Sequence, residues 1–304
     1  ARFQAELLRL VEADITPAVT RYRDAVRDEL LPRARGAEAE DLSFLPAGDA
    51  CYRALVRVHL GMERDPKELH ALGLAQIADS DKAIAQLGKK LFKARNLKAT
   101  IEHLRKDRAL YFTSAAEIVK RGEELLARAE ARVPKYFGIL PKQGCVVREI
   151  PAHEAPYTTV AYYREPNFDG TKPGEYFGNT FKPEVRTRWD FEVLSYHESV
   201  PGHHLQIALA QELGELPLVR KLWGSTAFVE GWALYTERLA DEMGLYDGDL
   251  GRLGMWSFDA WRGARLVVDT GLHSLGWSRE QAEKFMLEHT ALTPENVSNE
   301  VDRY

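Results

Sequence analysis

The stretch SYHESVPGHHLQ, residues 195–206, holds a His-Glu pair followed by two more histidines. In the common zincin motif, His-Glu-x-x-His, two histidines one helical turn apart bind zinc, and the glutamate is the base. Here Pro201 stands where the second histidine belongs. In an unbroken helix, His203 would lie about 120° around the axis from His197. His204 would lie about 10.5 Å along it, so neither could share a metal ion with His197.

Pro201 predicts a break in this helix. Proline has no amide hydrogen, and its ring collides with the carbonyl four residues earlier, which is that of His197. If the segment 199–202 bulges out by two residues, His203 becomes the second ligand. If three residues are absorbed, His204 takes that place. We expect His203, with His204 as the alternative, and we expect the metal to be Zn²⁺ because histidine and carboxylate ligands suit it.

The stretch FVEGWALYTERLADEMG, residues 228–244, predicts a neighbouring helix that supplies the third ligand. Glu230 stands among apolar residues, where a buried carboxylate is costly unless it is paired or bound to a metal. We therefore expect Glu230 to complete the metal site. Glu237 lies two turns later on the same face, where it would orient a ligand histidine. A pairing with Arg238, or simple exposure to solvent, explains Glu237 equally well.

Apolar residues at helical spacing predict a mainly α fold. The predicted helical segments are 2–33, 66–86, 87–108, 113–134, 184–198, 203–213, 217–243, 247–275, 279–290 and 294–303. Between 140 and 183 the sequence alternates apolar and polar residues, which predicts a small antiparallel sheet of about three strands. We expect an N-terminal helical part, 1–138, and a second part, 139–304, that carries the sheet and the metal-binding helices in one continuous cleft-forming unit. Trp223, Trp232, Trp256 and Trp261 are expected in the core.

The composition narrows the classes of partner. The net charge is −5 with a pI of about 6.0, and no basic cluster suggests a nucleic acid. No apolar run approaches the roughly 20 residues of a membrane span, so no membrane partner is expected. Cys51 and Cys145 are predicted to be buried thiols rather than a disulfide. The sequence does not decide between a cytoplasmic and a periplasmic or secreted location.

Three stretches, HESVPGHHLQ, FVEGWALYTERL and WRGARLVVDTGLHSLGWS, resemble the bacterial family of unknown function DUF885. LPAGDACYRALV, APYTTVAYYREPNFDGTKPGEYFGNT and the closing NEVDRY extend the resemblance over essentially the whole chain. That family is similar in fold to the gluzincins, the helical zinc peptidases that include carboxypeptidase Taq and angiotensin-converting enzyme. The resemblance implies that His197, His203 or His204, and Glu230 are ligands and that Glu198 is the base. It also implies that the chain is C-terminally incomplete, so a complementing chain or a homodimer would complete the cleft.

Such a site predicts metal-assisted hydrolysis of peptides, of the carboxypeptidase or oligopeptidase type. Glu198 would take a proton from water and deliver it to the leaving amine. The oxyanion needs a donor, for which His273 is the first candidate and Tyr304 the second. Arg265, Asp269 and His273 fall on one helix face, where Asp269 would orient either neighbour. A structural ion-pair face explains this trio equally well.

Two regions are expected to bind the substrate. The segment EYFGNTF, residues 175–181, resembles the family's cleft strand, and an extended peptide can pair with an exposed strand edge. Asn179 would bind the peptide main chain there. Arg262 or Arg265 would hold a terminal carboxylate with two hydrogen bonds. Two alternatives stay open: a zinc hydrolase of non-peptide amides or esters, and a non-catalytic helical binding protein with a degenerate site, which would bind no metal.

Overall fold

The computed structural model describes residues 2–36, 39, 41–222 and 224–304. The chain forms two compact units, Ala1–Pro46 and Ala47–Tyr304. The predicted division between residues 138 and 139 falls inside the second unit, and it stays a prediction. The fold is mainly α with one small sheet, as predicted.

The first unit consists largely of one continuous helical run that confirms the prediction for residues 2–33. It comprises α1 (Arg2–Leu10), a π-helical turn (Val11–Ile15), α2 (Thr16–Ala25), a second π-helical turn (Val26–Leu30) and a 3-10 turn (Leu31–Arg33). A short 3-10 turn, Leu42–Phe44, follows. Its first turn is capped by Asp41, whose side chain accepts a hydrogen bond from the Ser43 amide.

The second unit begins with four helices: α3 (Gly48–Leu60), α4 (Pro66–Phe92), α5 (Leu97–Lys106) and α6 (Ala115–Arg132). Asp65 caps α4 by accepting from the Lys67 amide, as the Asp-Pro sequence predicts. The predicted break near residue 86 is absent, and α4 continues to Phe92. The prediction missed α3. Its two buried apolar side chains, Tyr52 and Val56, are four residues apart as in a helix, but two positions are too few to define a period.

The remaining helices are α7 (Arg188–Glu198), α8 (His203–Glu212), α9 (Leu218–Leu222), α10 (Thr226–Glu242), α11 (Gly248–Leu275), α12 (Arg279–His289) and α13 (Pro294–Val301). The predicted helix 217–243 is divided into α9 and α10, while the other boundaries differ from the predictions by four residues or fewer. Among the residues with described positions, no helix is long and apolar enough to cross a membrane.

The sheet contains β1 (Cys145–Glu149), β2 (Ala161–Arg164) and β3 (Gly174–Gly178) in the order β1-β3-β2. The β2–β3 pair is antiparallel, but the β1–β3 pair is parallel, so the prediction of an antiparallel sheet is wrong for that pair. Alternating residues indicate which side chains share a face and carry no information on strand direction. The segment between β1 and β2 places β2 at the opposite edge.

The central place of β3 also corrects the expectation for the cleft strand. Strand β3 pairs with β1 from Gly174 to Gly178 on one side and with β2 from Glu175 to Gly178 on the other. A peptide therefore cannot add to β3 along these residues. The outer strands of the sheet are β1 and β2.

The core surrounds α7, which is buried along most of its length. Residues of α6, the sheet, α10 and α11 pack around it, and Trp232, Trp256 and Trp261 lie against this core as predicted. Trp223 lies outside the described residues. At Gly254 of α11, an added Cβ would lie 2.2 Å from the Trp189 carbonyl oxygen of α7. Close packing of these two helices fixes the position of α7, which ends at the His-Glu pair.

Candidate metal centre

The predicted break between His197 and His203 is confirmed. Helix α7 ends at Glu198, α8 begins at His203, and the Val200–Pro201 peptide between them is cis. A Cβ on Gly202 would lie 1.9 Å from the His197 carbonyl oxygen and 2.4 Å from that of Tyr196. Glycine thus lets the chain return directly against the last turn of α7, which brings His203 beside His197.

His197, His203 and Glu230 form a possible metal site, since one ligand atom from each lies within 4.8 Å of the others. The His197 Nε2–Glu230 Oε2 distance is 3.6 Å, and the His203 Nε2–Glu230 Oε1 distance is 3.8 Å. Tetrahedral zinc with bonds of about 2.0–2.1 Å would place neighbouring ligand atoms about 3.3 Å apart. Two imidazoles and one carboxylate fit zinc with little movement, and they leave a fourth position for water or substrate.

His204, the alternative ligand, is turned to other partners. Its Nε2 lies 3.0 Å from the Gln143 carbonyl oxygen, which can only accept, so Nε2 carries the hydrogen. Its Nδ1 then accepts from the Tyr163 hydroxyl at 2.9 Å. Burial also lowers the pKa of His204 to about 4. The side chain links α8 to β2 and to the segment before β1, and the structure brings His203 instead to His197.

Glu237 contacts the ligand His197 at Nδ1, the ring nitrogen that is not directed at Glu230. Its Oε1 lies 2.8 Å from His197 Nδ1, and its side chain is buried. This is the arrangement in which a carboxylate fixes the tautomer and orientation of a metal-binding imidazole. The same oxygen accepts from Arg262 Nη2 at 3.0 Å. Arg238 instead pairs with Asp259, so the alternative partnership between Arg238 and Glu237 is not observed.

The expected burial of Glu230 is wrong. Its side chain is 60 % exposed, and Phe228, two residues earlier, is 61 % exposed. An apolar stretch of sequence is buried only if another element of the fold covers it. Among the described residues, none covers the first turns of α10, which are open to solvent. The exposed carboxylate makes the site accessible from this side.

Two hydrogen bonds hold the start of α10 against the histidine segment. Trp232 Nε1 donates to the Pro201 carbonyl oxygen at 3.0 Å, and Gln206 Nε2 donates to the Phe228 carbonyl oxygen at 3.0 Å. Glu230 lies between these two attachment points on its helix. The sequence prediction missed the role of Gln206. The available signal was a polar side chain one turn after His203, between the apolar residues Leu205 and Ile207.

The electrostatics of the two histidines differ. Burial alone would lower the pKa of His197, but Glu230 and Glu237 outweigh it and raise that pKa to about 9. Burial and the nearby His197 lower the pKa of His203 to about 4. The pKa of Glu230 is lowered, and the main cause is its contact with His197. Near neutral pH, His203 and Glu230 are ready to bind a cation, whereas His197 must first lose a proton.

Zinc binding is therefore expected to release a proton. A histidine binds metal in its neutral form, so protons compete with zinc at His197 below pH 9. The apparent zinc affinity should fall by about tenfold for each pH unit below that value. Calorimetric titrations at pH 8 in buffers of different ionisation enthalpy should show about one proton released per zinc ion. Binding without proton release would contradict the assignment of His197 as a ligand.

The catalytic candidate Glu198 is buried next to His197 in the chain. Burial is the main cause that raises its pKa to about 7, and the negative charge of Glu230 adds to the effect. A carboxylate with this pKa can accept and return a proton near neutral pH. The geometry thus offers a candidate base beside a candidate metal site.

His273 and Tyr304 belong to a different group of residues. His273 Nε2 donates to the Tyr304 carbonyl oxygen at 3.1 Å. His273 follows Arg262 by 11 residues on α11, a rise of about 16.5 Å along the helix. Glu198 adjoins a metal-site residue, whereas His273 and Tyr304 contact each other at a distance from that site. Their catalytic roles stay predictions.

The other predicted residues also have structural partners. Asp269 accepts from the Tyr52 hydroxyl at 2.5 Å, and Arg265 donates to Glu300 at 2.6 Å. The Asn179 amide donates to two backbone carbonyl oxygens at 2.9 Å each, and its oxygen accepts from the Phe181 amide at 3.0 Å. Substrate binding by Asn179 or Arg265 stays a prediction. Cys145 is buried as predicted, but Cys51 is exposed, which corrects that expectation.

The fold and this site define a mainly helical protein with a possible two-histidine, one-carboxylate metal centre. The family model described as "Bacterial protein of unknown function (DUF885)" matches residues 1–304, and the chain belongs to this family. A comparison with the curated proteins finds no match.

Two solved structures share the fold. One, from Colwellia psychrerythraea and described as a "putative lipoprotein", is 28% identical with a TM-score of 0.92, covering 99% of this chain and 52% of that one. The other, from Shewanella oneidensis and described as a "putative lipoprotein of unknown function", is 19% identical with a TM-score of 0.70, covering 95% and 53%. The chain thus spans about half the length of each.

Proposed function

We propose that the chain is a zinc-dependent metallopeptidase that hydrolyses peptide bonds. The observation that carries this proposal is the convergence of His197, His203 and Glu230 on one point, with the buried Glu198 adjacent in sequence to a ligand. Bound zinc would polarise the scissile carbonyl and acidify a water molecule. Glu198 would hold the proton removed from that water and return it to the leaving amine.

The position of β2 favours an extended peptide as substrate. The Tyr163 hydroxyl of β2 donates a hydrogen bond to His204. The Tyr163 ring centroid lies 6.5 Å from that of His203. The strand therefore runs beside the helix that carries the second ligand. As an outer strand of the sheet, β2 has one side that β3 does not pair. An extended peptide can pair with such a strand through its main chain, which would bring its scissile bond toward the metal site.

Metal analysis with two matched histidine variants tests the proposal. Purified parent chain offered zinc should hold about one equivalent, as should His204→Ala, because His204 is turned to Gln143 and Tyr163. His203→Ala should lose most of the metal, since it removes a ligand. Equal zinc loss in both variants, or retention in both, would contradict the assigned ligand set.

Substrate class is tested on the zinc-loaded parent chain. A mixture of synthetic peptides analysed by mass spectrometry should show cleavage that a chelator stops and zinc restores. Removal of single C-terminal residues would indicate a carboxypeptidase, and internal cuts would indicate an oligopeptidase. Zinc-dependent turnover of model esters or non-peptide amides without peptide cleavage would overturn the peptidase assignment but keep the hydrolase. Zinc binding with no turnover of any kind would keep the metal site but contradict the hydrolase, whereas a chain that binds no zinc would favour the non-catalytic binding protein.

A further inference from the structure

Arg262 is connected to the candidate metal centre through Glu237, which contacts the ligand His197. Its Nη2 donates to Glu237 Oε1, the same oxygen that contacts His197 Nδ1. The Glu237 side chain is 2 % exposed and that of Arg262 is 20 % exposed. A carboxylate buried this deeply is costly unless it is paired and hydrogen-bonded. Arg262 supplies the cationic partner, at the same carboxylate oxygen that contacts His197.

The guanidinium of Arg262 is itself fixed by its own helix, α11. Its Nη1 lies 3.4 Å from the Phe258 carbonyl oxygen, and its carbon lies 4.4 Å from the centre of the Phe258 ring. The Trp261 ring is also near, at 5.4 Å. Aromatic faces and a hydrogen bond together restrict a planar guanidinium to few orientations. A series of contacts thus connects α11, through Arg262 and Glu237, to His197.

We propose that Arg262 is a positioning residue of the metal centre: it holds the Glu237 carboxylate so that the His197 ring faces His203 and Glu230. The inference rests on the proposed zinc function. It gives Arg262 a role different from the binding of a substrate carboxylate, since one of its terminal nitrogens already donates to Glu237. Partners of this outer kind change metal affinity by about 10–100-fold when they are removed.

The sign of the change separates positioning from a simple effect of charge. An arginine that acts only through its positive charge repels Zn²⁺, so its removal would strengthen zinc binding. An arginine that orients Glu237 and His197 favours zinc binding, so its removal would weaken it. The direction of the shift in affinity therefore decides between the two roles.

The experiment compares zinc affinity, by competition with a chromophoric chelator, in the parent, Arg262→Gln, Arg262→Lys and Arg238→Gln. Arg238 is the matched control because it follows Glu237 in sequence, pairs with buried Asp259 and lies over the Trp256 ring. We expect Arg262→Gln to weaken binding by about 10–100-fold, Arg262→Lys to recover part of the loss, and Arg238→Gln to stay within about twofold. The absorption spectrum with Co²⁺ in place of zinc should change in Arg262→Gln, change less in Arg262→Lys and stay parental in Arg238→Gln.

The outcomes separate this inference from the proposed function. A parent chain that binds no zinc would overturn both. A parent chain that binds zinc, with Arg262→Gln binding as tightly or more tightly, would overturn the positioning role alone. Thermal unfolding in chelator checks that each variant is folded. If Arg262→Gln is unfolded, Arg262→Lys decides, because parental affinity and an unchanged Co²⁺ spectrum in that variant would overturn the positioning role.

Discussion

Glu198→Gln is expected to reduce zinc-dependent peptide hydrolysis by about 10²–10⁴-fold without releasing zinc. Glutamine has nearly the shape of glutamate but cannot accept a proton from water. Glu198 is not among the three residues whose ligand atoms converge, so the metal should remain bound. The rate of peptide cleavage and the zinc content, measured on the same preparation, check this result.

Glu192→Gln provides the matched control for this substitution. Glu192 is also buried on α7, but its carboxylate accepts from the Asp247 amide and lies near Arg121 and Arg128. A glutamine can still accept the amide hydrogen bond, so hydrolysis should stay within a few-fold of the parent. If zinc-loaded Glu198→Gln cleaves peptides at the parental rate, Glu198 is not the base.

Gly202→Ala is expected to destabilise the chain by about 3 kcal/mol or more and to abolish zinc binding. The new methyl group would overlap the backbone oxygens of Tyr196 and His197, and backbone cannot rotate away as a long side chain can. Relief requires α7 and α8 to separate. Because the two helices carry one ligand histidine each, separation would move the ligands apart. Thermal unfolding and zinc content measure both effects.

Gly231→Ala is the contrasting control. Gly231 lies in α10 next to Glu230, and an added Cβ would meet no atom within 4 Å. Alanine is favoured over glycine inside a helix by about 0.8–1.0 kcal/mol, so this variant should be slightly more stable and keep its zinc. Parental stability and zinc content in Gly202→Ala would show that the close return of the chain at Gly202 does not position His203.

Much of the helical architecture could be predicted because its signals are local. The Asp65-Pro66 start of α4 and the end of α7 before Pro201 both follow from backbone chemistry within a few residues. The prediction missed α3, and it placed a break inside α4 that the structure does not contain. Both errors concern where a helix forms or ends. At these places the limits of the helix depend on packing against other elements and not on a local sequence signal.

The strand pairing of the sheet shows a second limit of prediction from the sequence. Alternating residues located its strands, and the antiparallel β2–β3 pair agrees with the prediction. The parallel pairing of β1 with β3 depends on where the chain between β1 and β2 places β2. That path is set by contacts such as those of Asn179 with the carbonyl oxygens of Ala155 and Thr159. Sequence periodicity does not contain this information.

The sequence by itself determined the local chemistry: a helix that must break between His197 and His203, and a second helix with Glu230 and Glu237 two turns apart on one face. Backbone sterics and helical periodicity act over a few residues, so they can be read from the sequence. Only the tertiary structure decided that His204 is turned toward Tyr163 and Gln143, that Glu230 is exposed, and that Arg262 contacts Glu237. These facts join segments up to 61 residues apart in the chain. They depend on how helices and strands pack, which no local pattern specifies.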